Sequence, residues 1–358
     1  KGSGFPPMAN ERILFMKKQE GFLDSSDGKN KLHVTRWLPD QESPNVWVQL
    51  VHGMNEHMGR YEEFAAYLAE HGIAVMGHDC IGHGKTAASL EDRGWFGERQ
   101  GHQFLVQDIR KVALYGKRIF PEAKHVILGH SMGSFMTRRY LAAYADGWKE
   151  KESEAQSDQC GNPEAAHRKL GVEWQQEPDG VILSGTGNPP HELVRFGWGL
   201  ANGFCIQKGT HDRSKTLYQM SIGAYNRQFA PVETEYDWLS RDRERVQKFL
   251  KDPYCDFIFT AGAYRDMFQT ILEDQRAEKR GHFVKNIPYL IISGSDDPVG
   301  ECGKGIKWLV KRYEKAGVDD ITCHLYPEAR HEVLNEINRA EVYEDVWAWL
   351  QEKMGERT

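Results

Sequence analysis

Apolar and polar positions along the chain follow two alternating patterns. Short runs of consecutive apolar residues, typical of buried strands, are followed by segments in which apolar residues recur at helical spacing. The predicted strands are 45–53, 73–80 and 125–131, and the predicted helices between them are 61–72 and 101–119. Strands that alternate with helices at this pitch predict a mostly parallel central sheet with helices on both faces.

The ends of the chain add further elements to this alternation. Residues 13–38 read as an antiparallel strand pair, because Asp-Gly and Gly-Lys-Asn mark a turn within them. Near the other end, a strand at 288–297 is followed by a predicted helix at 301–316, and a last strand begins at 321. A closing helix then places Val342, Val346, Trp347 and Leu350 on one apolar face.

Two segments interrupt the alternation. Residues 148–178 are densely charged with little periodicity, which predicts an exposed insertion. Residues 188–286 are mainly helical in pattern, rich in aromatic residues and Met, and too long for a crossover loop. We expect them to form a helical cap inserted before the penultimate strand. The predicted division is therefore a core in two parts, 8–187 and 287–358, with the cap at 188–286 between them.

Composition limits the classes of partner. The chain has 358 residues, 40% of them hydrophobic and 27% charged, which is enough to bury a substantial core. A formal charge of −6 without a Lys/Arg cluster argues against nucleic acid as a partner. Six scattered cysteines without a C-x-x-C pair predict reduced thiols and a cytoplasmic location. No apolar run approaches the roughly 20 residues that span a bilayer.

The segment "HVILGHSMGSFM" contains the main candidate for chemistry. Its G-x-S-x-G pattern alone is a weak signal, but here it follows an apolar run and precedes a segment with helical apolar spacing. This strand, turn and helix arrangement exposes a serine hydroxyl above a sheet. Side chains at 129 or 133 would collide in so tight a turn. The sequence therefore predicts Ser131 as a nucleophile, in preference to a simple helix N-cap.

A serine nucleophile needs a histidine base and a carboxylate that orients it, and these should follow on later strands. His331 lies in the loop after the last predicted strand, and Asp296 and Asp297 end the strand before it. Only one of two adjacent carboxylates can face the imidazole. Asp297 precedes Pro298 and is held extended, so we favour Asp297 as the acid, while Asp296 is left free to accept backbone amides in the turn.

Acyl transfer also needs N–H donors for the developing oxyanion. Met132, directly after the nucleophile, supplies one by its position. The second donor usually comes from the loop after an earlier strand, where "LVHGMNEH" places the N–H of Met54.

Two clusters contain residue types that bind metals. Neither provides a convincing four-ligand set, and the second has one residue too many for the inverted zincin pattern. The sequence therefore predicts neither a metal nor another cofactor. The clusters are His78, Cys80 and His83, and His52, Glu56 and His57.

Several motifs together resemble one known family. "HGMNEHMGRY", "HDCIGHGKT", "GHSMGS", "SRDRERVQKFLKDP", "SGSDDPVG" and "YPEARHEVLNE" are similar to segments of the α/β-hydrolases of the monoacylglycerol lipase and lysophospholipase group. Sequence classifications place that group with the serine aminopeptidases. The resemblance covers the chain from about residue 25 and implies an α/β-hydrolase fold. Asn55 stands where the family commonly has Gly, and the insertion at 148–178 departs from the family's shorter connection.

The resemblance implies a serine carboxylester hydrolase whose substrate is a small acyl ester with a hydrophobic chain, of the monoacylglycerol or lysophospholipid kind. It also implies transient contact of the cap with membranes or micelles. Two alternatives stay open at the level of sequence. One is a serine aminopeptidase-like amide hydrolase, which needs an acidic pocket for the free amine. The other is a hydrolase fold that serves as a non-catalytic binding protein.

Overall fold

A computed structural model gives the structure of the protein and describes residues 16–40, 43–145, 178–255 and 257–355. Its centre is an eight-stranded sheet with the strand order β1-β2-β4-β3-β5-β6-β7-β8. The strands from β4 to β8 in this order pair in parallel, and β1 and β2 pair antiparallel at one edge. The strands are β1 Lys17–Asp24, β2 Lys31–Leu38, β3 Val46–Val51, β4 Ala74–His78, β5 Lys124–His130, β6 Gly180–Ser184, β7 Tyr289–Gly294 and β8 Ile321–Tyr326.

Ten α-helices lie in the described part of the chain. Five of them, α4 to α8, follow one another between β6 and β7, where the sequence predicts a cap. None of the described helices is both long enough and apolar enough to cross a membrane. The helices are α1 Glu62–Glu70, α2 Gly101–Ile119, α3 Met132–Ala145, α4 His191–Lys208, α5 Lys215–Met220, α6 Ile222–Tyr225, α7 Arg243–Lys251, α8 Ala261–Lys279, α9 Lys304–Ala316 and α10 Arg339–Met354.

The sheet separates two hydrophobic cores. Neighbouring residues of β3 point to opposite faces, so Trp47 packs in one core and Val48 in the other. Helices α2, α3 and α9 cover the first face, and α1 and α10 cover the second. The central strands are buried on both faces, which explains why their sequences are continuous apolar runs.

The predicted α/β-hydrolase fold is confirmed. The strand pair forms as β1 and β2, and the helix predicted at 101–119 is α2. Gly72, with a positive φ of 80°, follows α1 as a C-terminal cap. The charged insertion predicted at 148–178 lies almost wholly outside the described residues.

The last helix of the cap segment also belongs to the main core. Helix α8 packs against α4 within the cap and against α2 and α3 below it. Its first turn contributes Ala261, Ala263 and Tyr264 to the core on the α2 and α3 side of the sheet. The cap is thus anchored to the hydrolase core through α8.

Candidate active site

Ser131 occupies a strained turn between β5 and α3. Its φ is +51°, in the left-handed region that non-glycine residues seldom adopt. The Ser131 N–H donates to the carbonyl oxygen of Ser184 at 2.9 Å, and the carbonyl of Ser131 accepts from the N–H of Ser134 at 2.9 Å. These bonds tie the turn to the neighbouring strand β6 and to the first turn of α3. The serine is thereby presented at the carboxyl end of the parallel strands.

Glycine is required on both sides of Ser131. A Cβ atom added at Gly129 would lie 2.5 Å from the carbonyl oxygen of Gly133, and one added at Gly133 would lie 2.1 Å from the carbonyl oxygen of Val51. Both distances are far below van der Waals contact, and the atoms that would be struck belong to the backbone. The turn can therefore form only with glycine at these two positions.

His331 and Asp297 form a buried pair. His331 Nδ1 lies 3.0 Å from Asp297 Oδ1, and both side chains are almost completely buried. The same carboxylate accepts from the Val299 N–H at 2.9 Å and from the Ser293 hydroxyl at 3.1 Å. Because Asp297 engages Nδ1, the other ring nitrogen of His331 is left with a free lone pair.

The carboxylate of Asp297 also governs the charge of His331. Burial disfavours the protonated imidazole, but the negative charge and hydrogen bond of Asp297 outweigh it, and the pKa of His331 lies above its usual value. Asp296, by contrast, is exposed, and its carboxylate accepts from the Ser295 hydroxyl at 3.0 Å. The amides of the turn that the sequence had assigned to Asp296 go to Asp297 instead, since the Val299 N–H is bonded to that residue.

The loop after β3 fixes two consecutive peptide groups, those on either side of the Gly53 Cα. The Gly53 N–H donates to the buried carboxylate of Glu56, and the Gly53 carbonyl accepts from His52 Nδ1, which lies 2.7 Å away. His52 Nε2 accepts from the Cys80 N–H at 2.9 Å, so the ring proton must be on Nδ1. Burial lowers the pKa of His52, which keeps the ring neutral.

This arrangement orients the N–H of Met54. In a planar trans peptide, the N–H of Met54 points opposite to the carbonyl of Gly53, which His52 fixes. None of the hydrogen bonds found in the described part of the chain uses the Met54 N–H. Met132 is buried as the first residue of α3, where backbone N–H groups have no partner within the helix.

Sequence reasoning missed a charged bridge between two loops of the site. The Arg60 guanidinium donates to Glu332 Oε1 and Oε2 at 2.6 and 2.7 Å, and to Glu56 at 3.0 Å. Burial opposes ionisation of Glu56, but the electrostatic effects of His130 and of the Arg60 guanidinium outweigh it and lower the pKa of Glu56. The only signal in the sequence was the E-H-x-x-R-Y segment, which names Glu56 and Arg60 but not their distant partner.

An apolar cavity of about 490 Å³ opens beside Ser131. Ser131, His331 and Met54 all lie on its wall, whereas Asp297 lies behind His331 and Met132 is not among the lining residues. Most of the wall comes from apolar and aromatic side chains of the cap, such as Leu200, Trp238 and Phe268. A volume of this size is typical of a small-molecule site.

In the two histidine clusters considered as metal sites, His52 already has both ring nitrogens in hydrogen bonds. His52 is committed to Gly53 and Cys80, as described above. Burial holds the pKa of both His78 and His83 at about 3, which leaves these rings neutral in the core.

A third group of ligand-type atoms brings His57, Asp252 and Cys255 within 4.8 Å of one another. His57 Nδ1 accepts from the Gly59 N–H at 3.2 Å, so the proton is on Nε2, which donates to Asp252 at 2.9 Å. A metal bound to Nε2 would displace that proton to Nδ1. Nδ1 could then no longer accept the hydrogen bond from the Gly59 N–H. The tautomer therefore fits a hydrogen bond between the cap and the loop after β3, and does not fit a metal.

The fold, the strained serine turn and the buried histidine and carboxylate define a serine hydrolase of the α/β-hydrolase class. The family model described as "Serine aminopeptidase, S33" matches residues 42–151 and 166–338, so the chain belongs to that family. The proteins that it resembles include lipases and esterases.

Three similar proteins illustrate that relationship. A monoacylglycerol lipase from Mycolicibacterium smegmatis is 26% identical over 322 residues, which cover 88% of this chain and 90% of the relative. A thermostable carboxyl esterase from Bacillus coagulans, solved with glycerol, has a TM-score of 0.78 at 23% identity, with 94% and 99% of the two chains covered. A soluble variant of monoglyceride lipase from Saccharomyces cerevisiae, solved with a substrate analogue, has a TM-score of 0.67 at 17% identity. The match covers 98% of this chain and 99% of that structure.

Proposed function

We propose that the protein hydrolyses carboxylic esters of long acyl chains, of the monoacylglycerol or lysophospholipid kind, through an acyl-enzyme on Ser131. The observation that carries this proposal is the apolar cavity of about 490 Å³ that begins at Ser131 and His331. A hydrophobic acyl chain fits such a wall, and the ester carbonyl would then lie at the serine. The lipase relatives support the same substrate class.

The proposed reaction assigns one step to each residue. His331, through its free ring nitrogen, takes the proton of the Ser131 hydroxyl as the oxygen attacks the ester carbonyl. Asp297 stabilises the imidazolium that results, and the N–H groups of Met54 and Met132 bind the oxyanion. His331 then gives its proton to the leaving alcohol. A water molecule, activated in the same way, releases the fatty acid.

The charge of the cavity favours an ester over a free amine. An aminopeptidase needs an unpaired carboxylate that binds the amino group of its substrate. Three carboxylates line the cavity. Glu56 and Glu332 are both bonded to Arg60, so each is already engaged within the protein. Glu301 is exposed to solvent, which screens its charge.

The rim of the cavity suggests where a lipid enters. Leu193, Phe196 and Met220 line the cavity and are also largely exposed, so their apolar surface faces solvent at the mouth. We propose that this rim touches membranes or micelles transiently while a substrate passes in.

The described free cysteines are consistent with a cytoplasmic location, which we propose as well.

A panel of substrates tests the proposed function. We expect kcat/KM to rise roughly fourfold for each methylene added to the acyl chain until the cavity is filled, because each buried methylene contributes about 0.8 kcal/mol. The panel comprises monoacylglycerols, lysophospholipids, p-nitrophenyl esters and aminoacyl amides, assayed by product release. Faster turnover of the amides than of any ester would contradict the proposal.

Phe196→Ser is expected to slow hydrolysis of micellar esters while soluble short esters react as before.

Two variants of His52 test the oxyanion assignment. Asparagine places an amide where Nδ1 lies and can still donate to the Gly53 carbonyl, whereas glutamine reaches the position of Nε2 and meets only the Cys80 N–H. We expect His52→Gln to lower kcat by roughly 10-fold to 100-fold with little change in KM, because loss of a whole oxyanion donor costs about 100-fold to 1000-fold. His52→Asn should retain more of kcat. The reverse order of the two variants in steady-state kinetics would exclude this role for the Gly53–Met54 peptide.

A further inference from the structure

One segment of the cap is bonded directly to the loop that carries His331. Residues 237–241 run alongside residues 330–336, and a series of backbone and side-chain hydrogen bonds connects the two segments. The His331 N–H donates to the Trp238 carbonyl at 3.4 Å and the Glu332 N–H donates to the Leu239 carbonyl at 2.7 Å. Further bonds join the ends: Arg330 to the Asp237 carbonyl, the Ser240 hydroxyl to the Asn335 carbonyl and the Arg241 N–H to Glu336. This edge of the cap therefore cannot separate from the histidine loop without breaking all of these bonds.

The side chain of Trp238 lies against the imidazole of His331. The two ring centroids are 4.9 Å apart, with an angle of 37° between the ring planes. The indole is only 6% exposed, and Tyr225 packs against it at a centroid distance of 4.9 Å. The backbone N–H of Trp238 donates to Asn226 Oδ1 at 2.8 Å, which holds the backbone as well. Trp238 is thus fixed from several sides and cannot swing away from His331.

His331 needs such a neighbour because a single hydrogen bond does not fix a ring. The bond from Nδ1 to Asp297 leaves the imidazole free to tilt about the bond axis, and a tilt moves the catalytic nitrogen away from Ser131. Trp238 and His130, whose ring centroid is also 4.9 Å away, restrict that tilt. The π face of the indole also attracts the imidazolium that forms when His331 accepts the serine proton.

We propose that Trp238 is a positioning residue for His331, so that the cap supplies part of the catalytic machinery as well as the wall of the cavity. This inference rests on the proposed roles of Ser131 and His331. It assigns two functions to the cap. The edge at 237–241 keeps the catalytic base in place, and the rim at Leu193, Phe196 and Met220 meets the substrate.

Two substitutions at Trp238, assayed with p-nitrophenyl acetate, test the proposal. The acetyl group is too short to use the cavity wall, so binding of a long chain does not enter the result. We expect Trp238→Leu, which keeps an apolar side chain without a ring, to lower kcat by about 10-fold or more and to leave KM nearly unchanged. Trp238→Phe keeps a ring against His331 and should retain kcat to within about threefold.

Trp308→Leu provides the matched control. Trp308 is an exposed residue of α9 that does not line the cavity, and its described ring contact is with the Arg312 guanidinium. This variant should leave kcat for the acetate ester as in the wild type. Thermal unfolding of all variants shows whether each is folded at the assay temperature.

Three outcomes would overturn the inference. Wild-type kcat in Trp238→Leu excludes a positioning role, as does a folded Trp238→Phe that is as slow as Trp238→Leu. An equal loss of acetate turnover in Trp308→Leu would show that the effect does not come from the contact with His331. If instead the wild type turns over neither short nor long esters, the proposed function itself fails, and the inference fails with it.

Discussion

Ser131→Ala is expected to abolish ester turnover, with kcat lower by roughly 10⁶-fold. The serine oxygen is the atom that would form the acyl bond, and alanine leaves the strained turn and the cavity in place without it. Any remaining rate would come from the oxyanion donors and substrate binding alone. Turnover of a p-nitrophenyl ester measures the loss, and a fluorophosphonate probe should label the wild type but not the variant.

The control for this experiment is Ser89→Ala. Ser89 is exposed and bonds only within its own turn, to Asp92. This variant should label and turn over substrate as the wild type does. Wild-type protein that fails to label, or Ser131→Ala that labels equally well, would remove Ser131 as the nucleophile and leave a non-catalytic binding protein as the alternative.

Asp297→Asn is expected to lower kcat by about 10⁴-fold, whereas Asp296→Asn should change it by less than about threefold. The Asp297 carboxylate contacts His331 Nδ1 at 3.0 Å, and an asparagine there cannot stabilise an imidazolium and can turn its amide to favour the wrong tautomer. Asp296 is exposed and its carboxylate bonds to Ser295. Near-normal turnover by Asp297→Asn would refute the assignment of this acid.

The pH dependence supplies a second readout for the same pair. Only the neutral imidazole can take a proton from Ser131, so activity falls as the pH drops through the pKa of His331. Asp297 raises that pKa above its usual value, although burial acts in the opposite direction. In Asp297→Asn the raising charge is gone, and the acid limb of kcat/KM should therefore move to lower pH. If the acid limb of kcat/KM in Asp297→Asn lies at the same pH as in the wild type, this electrostatic role is contradicted.

The sequence predicted the tight turn at Ser131 but could not choose between the two adjacent acids on firm ground. Ser131 was predictable because its strand, its two glycines and its helix are neighbours along the chain, and local sterics alone require glycine at 129 and 133. Asp296 and Asp297 share one turn, and which carboxylate meets His331 depends on how β7 and the loop after β8 lie side by side. That relation is set by the sheet.

Other parts of the site left almost no trace in the sequence. Arg60 and Glu332 are separated by 272 positions yet form a bidentate ion pair, and Trp238 meets His331 across a shorter but still long gap. In the sequence, Trp238 was one aromatic residue of a cap rich in them. A pattern of apolar positions reports which face of an element is buried, but it does not name the residue on the other side.

The sequence by itself determined the order of strands and helices and the serine turn between two glycines, because each depends on residues close together in the chain. Only the tertiary structure decided which carboxylate faces His331, which charges compensate one another and which cap residue holds the base. These are contacts between distant segments, and they exist only after the sheet and the cap have brought those segments together. The motif around Ser131 predicts where the chemistry occurs, and the packing around His331 determines which residues surround that ring.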